Sequence, residues 1–134
     1  MFLFHKKSTI YSPCNGTFKP LSEVKDEVFS KELMGKGFAV IPDTGDIHSP
    51  VDGKVTMVFP TKHAIGITDK NNIEYILHIG IDTVQLKGTG FQTSVQEGDS
   101  VKAGDLLVNC DLAMLKQAGY QTDVLVIVTN HKDV

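Results

Sequence analysis

Two histidines carry the chemical interest of this sequence. His78 sits inside Ile73-Glu74-Tyr75-Ile76-Leu77-His78-Ile79-Gly80-Ile81-Asp82-Thr83, a run rich in strand-forming residues. An imidazole between Leu and Ile is costly to bury as an unpaired charge. Side chains alternate between faces in an extended chain, so His78, Gly80 and Asp82 share one face and Leu77, Ile79 and Ile81 the other. His63 lies in Phe59-Pro60-Thr61-Lys62-His63-Ala64-Ile65-Gly66-Ile67, where Thr61, His63, Ile65 and Ile67 share a face. The polar turn Asp69-Lys70-Asn71-Asn72 joins the two runs as a hairpin. A hairpin closed there pairs residues whose numbers sum to about 141, which sets His63 opposite His78 with Cβ atoms roughly 5 Å apart.

Facing imidazoles support three chemistries. They can ligate a metal such as Zn²⁺. They can act as general acid and base, because histidine titrates near neutral pH. One ring can also act as a nucleophile while its neighbour stabilises the charge of the incoming group. Two histidines are too few for a closed metal site, and Asp82 could serve as a third ligand only by reaching along its strand. A chance cross-strand pair is the alternative to all three, and the residues alone leave the choice open. His5, His48 and His131 read as solvated residues of loops and ends.

The elements that must position the pair are strands. Twelve glycines, five prolines and short β-branched runs between turn signals indicate an all-β domain. Thr9-Ile10-Tyr11 reads as a first strand, and the run from Glu23 to Met34 as a short helix or turn. Phe38 to Pro42 and Lys54 to Phe59 are strands. Thr61 to Thr68 and Ile73 to Ile81 are the hairpin strands. A loop and short strand span Thr83 to Val95, and the tight double turn Glu97 to Asp105 feeds the strand Leu106 to Cys110. Asp111 caps a short helix from Leu112 to Ala118, with Gly119 placed to end it. Asp123 to Thr129 is the last strand. Ser12-Pro13-x-x-Gly16 and Ser49-Pro50-x-x-Gly53 are similar turns, each feeding a strand. They suggest an internally repeated β motif, although Pro followed by Asn or Asp and Gly is also favourable turn chemistry in its own right.

Composition narrows the function. The chain of 134 residues is 41% apolar and 22% charged, ordinary for one globular domain spanning 1–134. Its net charge of −3 argues against a nucleic-acid partner. The apolar runs fall far short of the ~20 residues of a membrane span, so no membrane insertion is expected. Met1-Phe2-Leu3-Phe4-His5-Lys6-Lys7 does not have the form of a signal peptide. Cys14 and Cys110 have no metal-type spacing and are expected to stay reduced in a cytoplasm.

Phe59 to Ala64, followed by Leu77-His78-Ile79-Gly80-Ile81-Asp82-Thr83-Val84 and on to Phe91, closely resembles the glucose-type enzyme IIA domain of the bacterial phosphoenolpyruvate-dependent sugar phosphotransferase system. The resemblance extends to Ser49-Pro50-Val51-Asp52-Gly53, to Glu97 through Asp105 and to Val126-Ile127-Val128-Thr129-Asn130, so it covers nearly the whole chain. It implies an antiparallel β-sandwich of jelly-roll-like character, a duplicated hybrid motif with short helices. It implies a phosphoryl relay as well. Phospho-HPr would phosphorylate His78 at Nε2, and His78 would pass the group to a cysteine on the IIB domain of a glucose-family IIBC permease during sugar uptake. His63 matches the histidine that stabilises the phosphoryl oxygens, and Thr61 the hydroxyl that orients it. The Gly80 carbonyl matches the acceptor for His78 Nδ1. Asp26 and Asp82 match acidic residues that meet a basic donor surface. Phe29, Phe59 and Ile76 match an apolar collar for docking and water exclusion, and Ile65 and Ile76 stand where some relatives carry phenylalanine. No cofactor is implied beyond a Zn²⁺ held adventitiously or shared with a partner at His63 and His78. The domain would be cytoplasmic, reaching the membrane through the permease.

A carrier domain is the rival from another class. Gly98-Asp99-x-Val101-x-x-Gly104-Asp105 resembles the turn of biotinyl and lipoyl domains, and Thr68-Asp69-Lys70 a lipoyl-lysine tip. Here the lysine precedes the Gly-Asp segment instead of following it, which is the wrong order for modification.

Overall fold

A computed structural model describes residues 9–130. The readings of residues 1–7 as no signal peptide, and of His5 and His131 as solvated, fall outside the described residues. The described residues form ten strands: β1 Gly16–Pro20, β2 Lys36–Pro42, β3 Asp46–His48, β4 Gly53–Val58, β5 Ala64–Asp69, β6 Glu74–Ile79, β7 Phe91–Thr93, β8 Ser100–Val101, β9 Leu106–Cys110 and β10 Val124–Val128. The helices are α1 Glu27–Ser30 and α2 Leu112–Gln117, with 3₁₀ turns at Leu21–Glu23 and Thr83–Leu86. The all-β reading holds, and every strand pairing is antiparallel.

The seven-stranded sheet runs β1-β2-β10-β6-β5-β4-β8, and a three-stranded sheet runs β3-β9-β7. Its central strands are apolar at consecutive positions because both faces are covered. On one face, Val40, Ile65, Ile67, Tyr75, Leu77, Ile79, Val124 and Val126 pack in one core with Ile47, Phe91, Val108 and Cys110 of the small sheet. On the other face, Ala39, Leu125 and Ile127 are covered by Leu21, Val24 and Phe29 from the 3₁₀ turn and α1. His78 belongs to this second face, in a row with Ala39, Leu125 and Ala64 set by cross-strand pairing. The short helical segment exists to cover it. Asp26 starts α1 by accepting from the N–H groups of Val28 (2.9 Å) and Phe29 (3.3 Å), which fixes where the Phe29 ring enters.

The repeat between the two Ser-Pro turns is structural. Ser12 Oγ donates to the Cys14 carbonyl at 2.6 Å, and Ser49 Oγ donates to the Val51 carbonyl at 2.6 Å. Each turn also bonds the other: Tyr11 N–H donates to Pro50 O at 2.8 Å, and His48 N–H to Pro13 O at 2.6 Å. The two turns thus share the same internal hydrogen bond and are tied to each other by a pair of reciprocal backbone bonds.

Several boundaries differ from the sequence reading. Residues 9–11 are not a strand; Ile10 and Tyr11 are exposed and the segment is tied through the Pro50 contact. His48, read as a loop residue, ends β3, a three-residue strand too short to leave a period in the sequence. Helix α2 starts and stops as expected, with Asp111 Oδ1 accepting from Met114 N–H at 3.1 Å and Gly119 at φ 89° just beyond it.

Burial separates the two serines of the repeat. Ser49 is fully buried whereas Ser12 is exposed. Ser49→Ala should therefore cost about 1–2 kcal/mol by leaving a carbonyl without its donor, and Ser12→Ala under about 0.5 kcal/mol. Urea unfolding of the two variants beside the parent measures the difference.

Candidate functional site

The hairpin that carries the histidines closes one residue away from the expected register. Ala64 pairs with His78 and Ile65 with Leu77, so paired numbers sum to 64 + 78 = 142. The turn supplies the reason. Asp69 Oδ1 accepts from Asn71 N–H at 2.8 Å and Ile73 N–H at 3.0 Å, and Asn72 takes a positive φ of 62°, which lengthens the loop on the β6 side. His63 is consequently not a strand residue and does not share a face with Ile65 and Ile67, both of which lie in the opposite core. It ends a tight turn at Lys62, whose φ is 61° and whose N–H donates to Phe59 O at 2.7 Å. Leaving the strand lets the ring swing back over β6.

The two imidazoles then meet. Their centroids are 4.9 Å apart with planes at 84°, an edge-on arrangement. His78 Nδ1 bonds the Gly80 carbonyl at 2.8 Å. A carbonyl only accepts, so Nδ1 bears the proton and Nε2 keeps its lone pair. Thr61 Oγ1 shares a hydrogen bond of 2.6 Å with His63 Nδ1. With the hydroxyl as donor, His63 presents Nε2–H. The Phe29 ring lies 5.0 Å from His78, and the Phe59 ring 5.7 Å from His63. Ile76 sits two residues before His78 on the same strand face and is half-buried.

Strand β6 ends at Ile79, because Gly80 has φ 77° and Asp82 φ 62°. The face alternation expected through Asp82 stops there. Ile81 accordingly turns to the His78 side and packs with Leu21, Phe29 and Leu125 instead of following Leu77 and Ile79. Asp82 is exposed at the start of the 3₁₀ turn. Asp26 is near enough to act on the charge of His78 while its Oδ1 caps α1.

Burial beside a second imidazole pushes the His78 pKa down to about 4; the Gly80 contact and the Asp26 charge oppose the shift without cancelling it. His63 is also lowered, by burial. Both rings are neutral at pH 7, the state a nucleophilic nitrogen requires.

Sequence reasoning missed one charged pair on this face. Lys19 Nζ and Asp123 Oδ2 form an ion pair of 2.9 Å with side chains 16% and 8% exposed. The Asp123 carbonyl accepts from Gly80 N–H at 2.8 Å, so the pair's carboxylate residue also grips the backbone behind His78. The partners are 104 residues apart and neither lies in a motif; opposite charges at the ends of β1 and β10 were the only signal. A cavity of about 830 Å³ lies elsewhere, lined by Tyr11, Ser12, His48, Asp52, Lys70 and Lys102 among others, at the end of the β5–β6 hairpin remote from His63 and His78. Lys70, the lysine of the rival carrier reading, is on that wall and not beside the imidazoles. Among the described residues no group of three or more His, Cys, Asp or Glu side chains could hold a metal, and no helix is long and apolar enough to cross a membrane.

Fold and site together define an antiparallel β-sandwich presenting a neutral, tautomer-fixed histidine beside a second one. Residues 8–134 match the family described as phosphoenolpyruvate-dependent sugar phosphotransferase system, EIIA 1. The chain is 53% identical over 124 residues to the PTS system beta-glucoside-specific EIIBCA component of Bacillus subtilis (strain 168), covering 92% of this chain and 20% of that protein. It thus spans about a fifth of the length of that curated relative. Its structure superposes on the glucose permease IIA from Mycoplasma capricolum with a TM-score of 0.89 and 45% identity, over 97% of this chain and 84% of that one. The chain belongs to the family of EIIA 1 domains of the phosphoenolpyruvate-dependent sugar phosphotransferase system.

The depressed pKa has a measurable consequence. The unfolded chain, with its imidazole near 6.5, binds more protons than the folded one between pH 6.5 and about 4. His78 should therefore lower stability as pH falls through that window, by at most about 1.4 kcal/mol per pH unit, and add no slope below it. Urea unfolding at pH 7, 6 and 5 should show a shallower loss in His78→Gln than in the parent.

Proposed function

We propose that this chain relays a phosphoryl group through His78 Nε2, from phospho-HPr to a cysteine of a IIB domain. The observation that carries the reading is the Nδ1–H bond to Gly80 O, which leaves Nε2 as the basic nitrogen beside His63. In the first step the Nε2 lone pair attacks phosphorus, and the donor histidine leaves with the electrons of its P–N bond. In the second, an acceptor thiolate attacks and Nε2 regains its lone pair. Such transfer asks the protein for position and charge stabilisation more than for covalent chemistry. His63, held by Thr61, donates from Nε2–H to the phosphoryl oxygens, a role that counts most in the second step.

Asp82, exposed, and Asp26, half-buried, offer negative charge to a basic donor surface. Phe29, Phe59 and Ile76 form the apolar rim that limits water around a hydrolysable P–N bond. The relay needs no cofactor of its own. An ion such as Zn²⁺ at His63 and His78 would have only two ligands here and would have to take the rest from a docked partner. The matched relative joins EIIB, EIIC and EIIA in one chain, which supports a glucose-family IIBC permease as acceptor and a cytoplasmic location at the membrane.

Incubation with phosphoenolpyruvate, enzyme I and HPr tests the assignment. His78→Ala should take up no phosphate. His63→Gln should accept it and pass it to the IIB domain at least about tenfold more slowly, as expected for loss of a charge-stabilising donor. Labelling of His78→Ala equal to that of the parent would remove the central assignment.

A further inference from the structure

Thr83 is fully buried, yet the relay as described gives it no task. Its Oγ1 donates to the Ile79 carbonyl at 2.5 Å. A Cβ built on Gly80 would come within 2.5 Å of Thr83 Cγ2, so the methyl lies directly against the Gly80 α-carbon. One side chain thus touches the chain on both sides of the peptide linking Ile79 to Gly80. The same peptide's N–H, on Gly80, donates to Asp123 O at 2.8 Å. With carbonyl and N–H both held, that peptide plane cannot rotate without breaking a buried bond.

The orientation matters because the next carbonyl, on Gly80, is the acceptor for His78 Nδ1 at 2.8 Å. Gly80 has φ 77°, a conformation that leaves glycine free to choose among several wells unless its neighbours choose for it. Ile81 N–H donates to Gln121 O at 3.1 Å and holds the far side. The near side rests on Thr83 at the carbonyl and on Asp123 O at the N–H. The link extends to the second histidine, since Ile79 N–H donates to His63 O at 2.8 Å.

We propose that Thr83 is a positioning residue for phosphoryl transfer: its hydroxyl locks the Ile79–Gly80 peptide so that the Gly80 carbonyl holds His78 in the Nδ1–H tautomer. The rate arm of this inference rests on the relay reading of His78; the tautomer arm does not. Thr83 touches no reacting atom and acts only through Gly80. Thr83→Val keeps the shape and removes the hydroxyl, leaving the Ile79 carbonyl without its donor. Thr83→Ser keeps the hydroxyl.

The test pairs ¹⁵N NMR of the ring nitrogens with the rate of phosphorylation by phospho-HPr, measured on folded protein. The parent should show a protonated Nδ1 and an unprotonated Nε2 at neutral pH. Thr83→Val should show both tautomers and a rate lower by about tenfold or more, the lower end of what losing an outer-shell partner costs a metal-bound imidazole. Thr83→Ser should restore the single tautomer and the rate. A Thr83→Val protein with the parent's tautomer and rate overturns the proposal, whatever its stability. If Thr83→Val does not fold, Thr83→Ser decides: mixed tautomers in the serine variant overturn it, and a single tautomer supports the hydroxyl as the lock. A parent that takes no phosphate on His78 would sink the relay reading and leave the tautomer measurement intact.

Discussion

The hydrogen bond from His78 Nδ1–H to the Gly80 carbonyl is the constraint on which the site depends. A neutral imidazole in water moves its proton between two nitrogens, and only one arrangement puts a lone pair toward the partner. Fixing the tautomer within three residues of the nucleophile requires the strand to stop immediately after it. That stop is built from the positive φ of Gly80 and Asp82 and from the buried Thr83 hydroxyl. The end of β6 is therefore part of the chemistry.

The surrounding sheet supplies the other half of the arrangement. Burial between two apolar layers keeps both rings neutral, and α1 delivers Phe29 against His78 because Asp26 caps it. The same burial imposes a cost at acid pH, since protonating either ring in place is unfavourable. The Lys19–Asp123 pair shows how charge is tolerated on this face: both members are paired, and the Asp123 backbone also serves the Gly80 turn. Breaking such a pair on one side leaves a largely desolvated charge, the costly case.

Much of this is legible in the amino-acid sequence alone. Alternating and continuous apolar runs with Gly and Pro punctuation marked β4, β5, β6, β9 and β10, and the Asp111 and Gly119 signals bracketed α2. The histidine pair was legible because a polar turn lay midway between two strand-like runs. Its register was one residue off, since the Asp69 side chain and Asn72 reshape the turn in a way that residue counting does not see. The direction of Ile81 was misread for the same kind of reason: one glycine at φ 77° ends the alternation. What stayed hidden was non-local. β10 lies between β2 and β6, a neighbourhood no local pattern encodes, and the Lys19–Asp123 contact follows from it; the short β3 pairs with the distant β9. The Ser-Pro repeat was visible as five positions, and its meaning came from the reciprocal bonds at Pro13 and Pro50.

The central claim is that Nε2 of His78 carries the phosphoryl group. The most direct measurement is ¹⁵N and ³¹P NMR of the protein after phosphorylation by phospho-HPr. Phosphorus coupled to Nε2 of His78, with Nδ1 still protonated against the Gly80 carbonyl, is the expected result. Phosphate on Nδ1 of His78, or on His63, would contradict it.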